Sequence, residues 1–211
     1  YIDEIVQQCD PPKNIRQRLP LNLTTLTYLF NQLTKPRWLA NLREKGFFCD
    51  PPCLIYTDDG YIRAPRWPQT VYLKRMCKLG DYAIQQQVLD IMLSNDKTDN
   101  FNTRGDFTDC ALVMPSELAA QWAMCEVAWL KIDANKTYDM LEDSLGKLVS
   151  KLAKAGEVET ALALMAELLR ILPDPETEKK RNPQNDVEEI MYSSLNPKSR
   201  TSDYYYAQIL E

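Results

Sequence analysis

One stretch concentrates the residues that could do chemistry: Tyr61 to Arg75, YIRAPRWPQTVYLKR, where Arg63, Arg66, Lys74 and Arg75 are interleaved with Tyr61, Trp67 and Tyr72. Arginine beside tryptophan or tyrosine is the composition of energetic anchors at protein interfaces, where a planar cation and a rigid ring combine directed hydrogen bonds with buried area. The candidate binding set is therefore Arg63, Arg66, Trp67, Tyr72, Lys74 and Arg75. Two other uses of the same residues stay open. The guanidinium groups can clamp phosphates of a nucleotide or nucleic acid. More plainly, Trp67 can plug a hairpin onto the next helix while the arginines pair with nearby carboxylates.

The remaining chemistry is sparse. The chain has no histidine, which removes His-dependent acid–base catalysis, Ser-His-Asp and Cys-His nucleophilic sites, and His-containing zinc sites. Its six glycines form neither GxxxxGK[ST] nor GxGxxG, so no phosphate-cradling loop is expected. Cys49 and Cys53 have metal-like spacing but lack two further ligands, and Asp58-Asp59-Gly60 lacks the spaced oxygens of a calcium loop. Acidic residues such as Asp3, Glu4, Glu142, Asp143, Glu157 and Glu159 fall on solvent faces or helix starts, where negative charge is favourable without any function. The expectation is a non-catalytic region with no cofactor and no metal.

The elements that position these residues follow from periodicity. Tyr138–Leu172 reads as two amphipathic helices hinged at Ala155-Gly156-Glu157. Tyr138, Leu141, Leu145, Leu148, Leu152 and Ala155 form one stripe; Val158, Ala161, Leu162, Met165, Leu168, Leu169 and Leu172 form the other. A lone hairpin cannot bury two stripes, so each needs a neighbour. Upstream, a short helix ends at Cys9, and Pro11-Pro12 break the chain. Helices follow over about 22–33 and 36–46, then 68–80 and 81–93 with Asp81 as N-cap, then about 103–113 and 116–129, the former weakened by Gly105.

Between Phe47 and Trp67 the helical pattern stops. Asp59-Gly60 between Leu54-Ile55-Tyr56 and Tyr61-Ile62-Arg63 predicts a β-hairpin near 54–64. Two strands are marginal alone, so Ile55, Ile62 or Trp67 is expected to pack on an adjoining helix. The hairpin would then present Arg63 and Arg66 near a groove, with Trp67 capping the helix opened by Pro68.

The fold class expected is all-α, an irregular helical-hairpin solenoid with one short β-hairpin insertion. Its joints, Gly80-Asp81, Pro115-Ser116 and Gly156-Glu157, are spaced by about 35 to 41 residues, between the tetratricopeptide and HEAT or armadillo periods. The organisation predicted is a helix end and linker over 1–20, the array over 21–172, a mobile linker over 173–202 with a short helix around 187–193, and a further helix opening at 203–211. Both ends read as pieces of longer helices, so a larger protein is expected.

A net charge of −5 argues against a general nucleic-acid surface. No apolar run reaches the roughly 18 to 20 residues of a membrane span. Cys77, Cys110 and Cys125 fall in helix patterns as small core residues, and with six scattered cysteines a reducing cytoplasm is expected. The sequons at Asn22 and Asn135 are read as chance matches.

The helix pairing and period of residues 21–172 resemble HEAT-like repeats. The segments WLANLREKGFF and WPQTVYLKR also look loosely like helical regions of large bacterial NTPase-type or defence-type proteins. Such a resemblance implies a scaffold or sensor region that binds a partner protein or neighbouring domain. The rival readings are a phosphate or nucleic-acid sensor, and a helical appendage of an enzyme whose active site lies elsewhere.

Overall fold

The computed structural model of the 211-residue chain describes residues 2–7, 14–19, 22–58, 61–132 and 141–170. These are mostly helical, with one antiparallel pair of strands. The order is α1 (Ile2–Gln7), α2 (Ile15–Arg18), α3 (Leu23–Gln32), α4 (Trp38–Glu44), β1 (Ile55–Tyr56), β2 (Ile62–Arg63), α5 (Gln69–Cys77), α6 (Tyr82–Ser94), α7 (Phe101–Val113), α8 (Ser116–Ile132), α9 (Glu142–Ala155) and α10 (Val158–Leu168). The expected linker, the helices near 187–193 and 203–211, and the turn residues Asp59 and Gly60 lie outside the described residues. None of the described helices is long and apolar enough to cross a membrane.

Helices two apart in sequence are neighbours in space. On one side α3 touches α5, α5 touches α7 and α7 touches α9; on the other α4 touches α6, α6 touches α8 and α8 touches α10. Cross-contacts such as α5 with α6 and α9 with α10 join the two sides. Burial lies between them, so α8, flanked by α6, α7, α9 and α10, buries Ala120, Ala123, Val127 and Leu130 as well as Leu118, Ala119 and Trp122, and exposes the stripe of Glu117, Gln121, Met124 and Ala128.

Helix ends follow their capping residues. Asn22 accepts from Thr25 N at 2.9 Å, and Asp81 accepts from Ile84 N at 3.0 Å, each satisfying a donor that the helix itself cannot. Asn100 accepts from the amides of Asn102 and Thr103, so α7 begins at Phe101 rather than at Thr103. α7 runs through Gly105 without a break. A Cβ there would sit 3.3 Å from Leu141 Cδ2, so the bare backbone lets α9 approach. Gly156 ends α9 with φ of 88°, a left-handed cap that most side chains resist.

The first helix is described over Ile2–Gln7, and its expected end at Cys9 lies outside the described residues. Three other expectations are corrected. A single turn, α2, stands where only a linker was expected; its first residue, Ile15, and the following Leu19 enter the core. In α10 the buried face is Ala161, Leu164 and Leu168, while Val158 and Leu162 are exposed. The expected stripe holds at Ala161 and Leu168, with Met165 and Leu169 partly buried against the core; it omits Leu164, and Leu172 lies outside the described residues. In α9, Leu141, Leu145, Leu148 and Leu152 are buried as expected, but Ala155 is exposed and Tyr138 is outside the described residues.

Candidate interaction site

The segment between α4 and α5 makes few regular hydrogen bonds of its own, so its backbone carbonyls need partners. Buried amide side chains provide them. Gln69 Nε2 donates to Phe47 O at 3.0 Å and Asn95 Nδ2 donates to Phe48 O at 2.9 Å. Asn100 Nδ2 donates to both Pro52 O, at 2.9 Å, and Pro65 O, at 2.8 Å, tying the two roots of the hairpin to the start of α7. Asn102 Nδ2 donates to Ala64 O at 2.6 Å, and Asp99 accepts from Leu54 N at 3.3 Å.

From these roots β1 and β2 project outward, with Ile55 paired to Arg63 and Tyr56 to Ile62. The hairpin is where sequence placed it, but it does not lie on a helix. Ile55, Tyr56, Tyr61 and Ile62 are each more than half exposed, so Ile55 and Ile62 do not serve as the expected plugs. Trp67 does: it is buried and meets Phe107 edge-on at a centroid distance of 6.1 Å.

At the base of the hairpin is a groove of about 440 Å³. One wall is Leu23 and Leu26 of α3. The loop after α4 gives Phe47, Cys49, Asp50 and Pro52, and the junction into α5 gives Pro65, Arg66, Trp67, Pro68 and Gln69. Asp50 adopts φ of 57°, a left-handed conformation that aspartate tolerates better than most residues. Within this apolar lining, Gln69 is buried and its Oε1 has no hydrogen-bond partner.

The six residues nominated by sequence divide sharply. Tyr72 is fully buried, stacks on Phe48 and donates to Lys35 O at 2.8 Å; burial pushes its hydroxyl well above the ordinary range, although Arg75 opposes this. Lys74 pairs with Asp106 and lies 3.5 Å from Asp109. Burial alone would lower its pKa, but the two carboxylates outweigh that and hold the ammonium charged. Arg75 reaches the end of α3 and donates to the carbonyls of Phe30, Asn31 and Leu33, acting as a cationic cap on that helix. With Trp67 also buried, four of the six have roles inside the fold. Arg63 and Arg66 are exposed, and neither forms an ion pair with a described residue. Arg66 lines the groove and Arg63 stands on β2.

A second polar cluster, missed in the sequence, is wholly internal. Arg104 and Glu126 form an ion pair in which both side chains have no solvent exposure. Arg104 Nε donates to Glu126 Oε2 at 3.1 Å, and Nη1 donates to the carbonyls of Asp96 and Thr98. The guanidinium lies 3.9 Å from the Trp129 ring centroid and 5.4 Å from that of Trp122. Burial raises the pKa of Glu126, with Arg104 pulling the other way. Nη2 sits 3.0 Å from Oε2 without hydrogen-bond geometry, and Glu126 Oε1 has no partner. In sequence, an arginine on an otherwise irregular stripe three residues after Phe101 carried no visible sign of this.

Among the described cysteines, Cys77 and Cys110 are buried together, and a hydrogen bond from one thiol to the other, with burial, raises the Cys110 pKa. Such thiols are poor nucleophiles. Cys49 and Cys53 are exposed and free, and no cluster of three or more metal-ligating groups occurs among the described residues. Comparison with protein-family models, with curated proteins and with solved structures gave no match to this chain.

Proposed function

We propose that this chain is a non-catalytic helical-repeat region, HEAT-like in its pairing of helices, which holds a partner protein or a neighbouring domain at the groove beside the hairpin. The observation that carries the reading is the contrast within one stretch. Trp67, Tyr72, Lys74 and Arg75 are engaged inside the fold, whereas Arg63 and Arg66 are exposed and form no ion pair with a described residue, Arg66 in an apolar groove and Arg63 among four exposed apolar hairpin residues. Exposed apolar area rimmed by arginine is the pattern of a recognition surface. The neighbour-to-neighbour contacts of alternate helices support a stacked array, which leaves its loops and insertions free for binding. The free cysteines fit a reducing compartment such as the cytoplasm.

The alternative, a phosphate-contacting sensor, uses the same two arginines, but Asp50 lines the groove with Arg66 and the whole chain carries −5. The test is recovery of binding proteins from a cell extract by the chain and by its Arg63→Ala/Arg66→Ala variant. Proteins lost by about tenfold with the variant, under unchanged melting temperature, support the reading. Recovery that is unaffected by the variant, or that disappears after nuclease treatment, counts against it.

A further inference from the structure

The groove carries its own description of what it accepts. Its walls are apolar, and among its polar groups are a donor, the Arg66 guanidinium, which has no ion pair among the described residues, and two acceptors, the Asp50 carboxylate and Gln69 Oε1, which has no hydrogen-bond partner among them. Gln69 is 6% exposed, so leaving that oxygen without a donor is costly, and a ligand N–H aimed at it removes the cost. An extended peptide has N–H groups for two acceptors, and a side-chain carboxylate suits the guanidinium. A polyphosphate offers no donors, and Asp50 repels it.

The surface also continues beyond the groove. Pro52 is three residues before Ile55, and Pro65 is two after Arg63, so the exposed Ile55, Tyr56, Tyr61 and Ile62 begin where the lining ends. A compact small molecule would fill the groove and leave these untouched, whereas a segment several residues long covers both.

Resting on the interaction-module reading above, we infer that the groove and hairpin bind an extended acidic-apolar segment of a partner protein. An apolar side chain enters between Leu26 and Trp67, an adjacent Asp or Glu meets Arg66, and a backbone N–H donates to Gln69 Oε1. Asp50 takes a second N–H, and further apolar residues lie along Tyr56 and Tyr61.

The test uses an array of short peptides in which Asp or Glu adjoins two of Leu, Ile and Phe, a matched array with Lys in place of the acid, and oligo-dT as a polyanion. Binding is measured to the full chain and to Arg66→Glu and Leu23→Trp. Leu23 lines the groove from an exposed position, so the larger ring narrows the groove without entering the core. Maleimide modification of Cys49, an exposed thiol that lines the groove, gives the footprint. The expected result is that acidic-apolar peptides bind about tenfold or more tightly than their lysine counterparts and slow modification of Cys49. Both variants lose that binding with helicity unchanged. Failure of every acidic-apolar peptide, or equal binding of the lysine set, overturns the inference while proteins captured through Arg63 and Arg66 would still uphold the module. Acidic peptides that bind without protecting Cys49 also overturn it, since their site is elsewhere. Preferential binding of oligo-dT overturns both.

Discussion

Arg66 and Arg75 have the same side chain and lie nine residues apart, yet the fold uses them oppositely: one lies exposed on the groove with no ion pair among the described residues, and the other closes the end of α3 through three carbonyls. Arg75→Ala is expected to lower stability by about 1–3 kcal/mol, because half-buried carbonyls lose a charged donor. Arg66→Ala should change it by less than about 0.5 kcal/mol. Urea denaturation of both variants checks this. Composition pointed to this stretch, but no local signal separates an arginine that caps a helix 42 residues away from one that faces solvent. The internal pair was less legible still. Arg104→Ala should cost about 3–5 kcal/mol by leaving Glu126 buried without its cation, while Arg104→Met with Glu126→Leu should be nearly neutral. Because burial raises the folded pKa of Glu126 above its ordinary 4.5, the folded state binds the proton more tightly than the unfolded state. The stability from this group is complete below pH 4.5 and is lost as pH rises through the raised value. Glu126→Gln cannot ionise, so its stability relative to wild type should improve from acid toward neutral pH; a difference that stays flat would place the pKa shift in doubt.

At the level of elements, a helix start with a short polar cap could be read directly at Asp81, whereas Asn22, expected as the first residue of its helix, is the cap. The hairpin was legible from Asp59-Gly60 between apolar runs, and Ile55–Tyr56 does pair with Ile62–Arg63. What holds it was not. The sequence SNDKTDN resembles any polar loop, yet Asn95, Asp99 and Asn100 supply bonds that fasten the loop between α4 and α5. Asn100 carries the most, with two donated bonds to the hairpin roots and a cap on α7. Asn100→Ala should destabilise by about 2–4 kcal/mol and speed amide exchange at 54–63. Asn100→Asp keeps the cap but cannot donate, so accelerated exchange there, even where α7 stays intact, would separate the two roles. Helix α10 shows the limit of periodicity: with apolar residues on two faces, only the neighbours α8 and α9 decide which is buried. Leu164→Ala should cost about 2–5 kcal/mol and Leu162→Ala less than about 0.5, by thermal or urea unfolding. Equal effects would mean the outer face of α10 is covered in solution.

For the whole molecule, local patterns gave the helices and tertiary contacts gave their order: alternate helices become neighbours, and the hairpin insertion lies between α4 and α5. The proposed binding surface is the groove of Arg66, Trp67 and Gln69 with the hairpin beside it. The central claim is therefore one of place, and amide hydrogen exchange of the chain alone and with a captured partner measures it most directly. The account predicts slowed exchange at 46–69 and in the first turn of α3, with the remainder of the array unchanged. Slowed exchange confined to the outer face of α10, or to any surface that leaves 46–69 untouched, would contradict it.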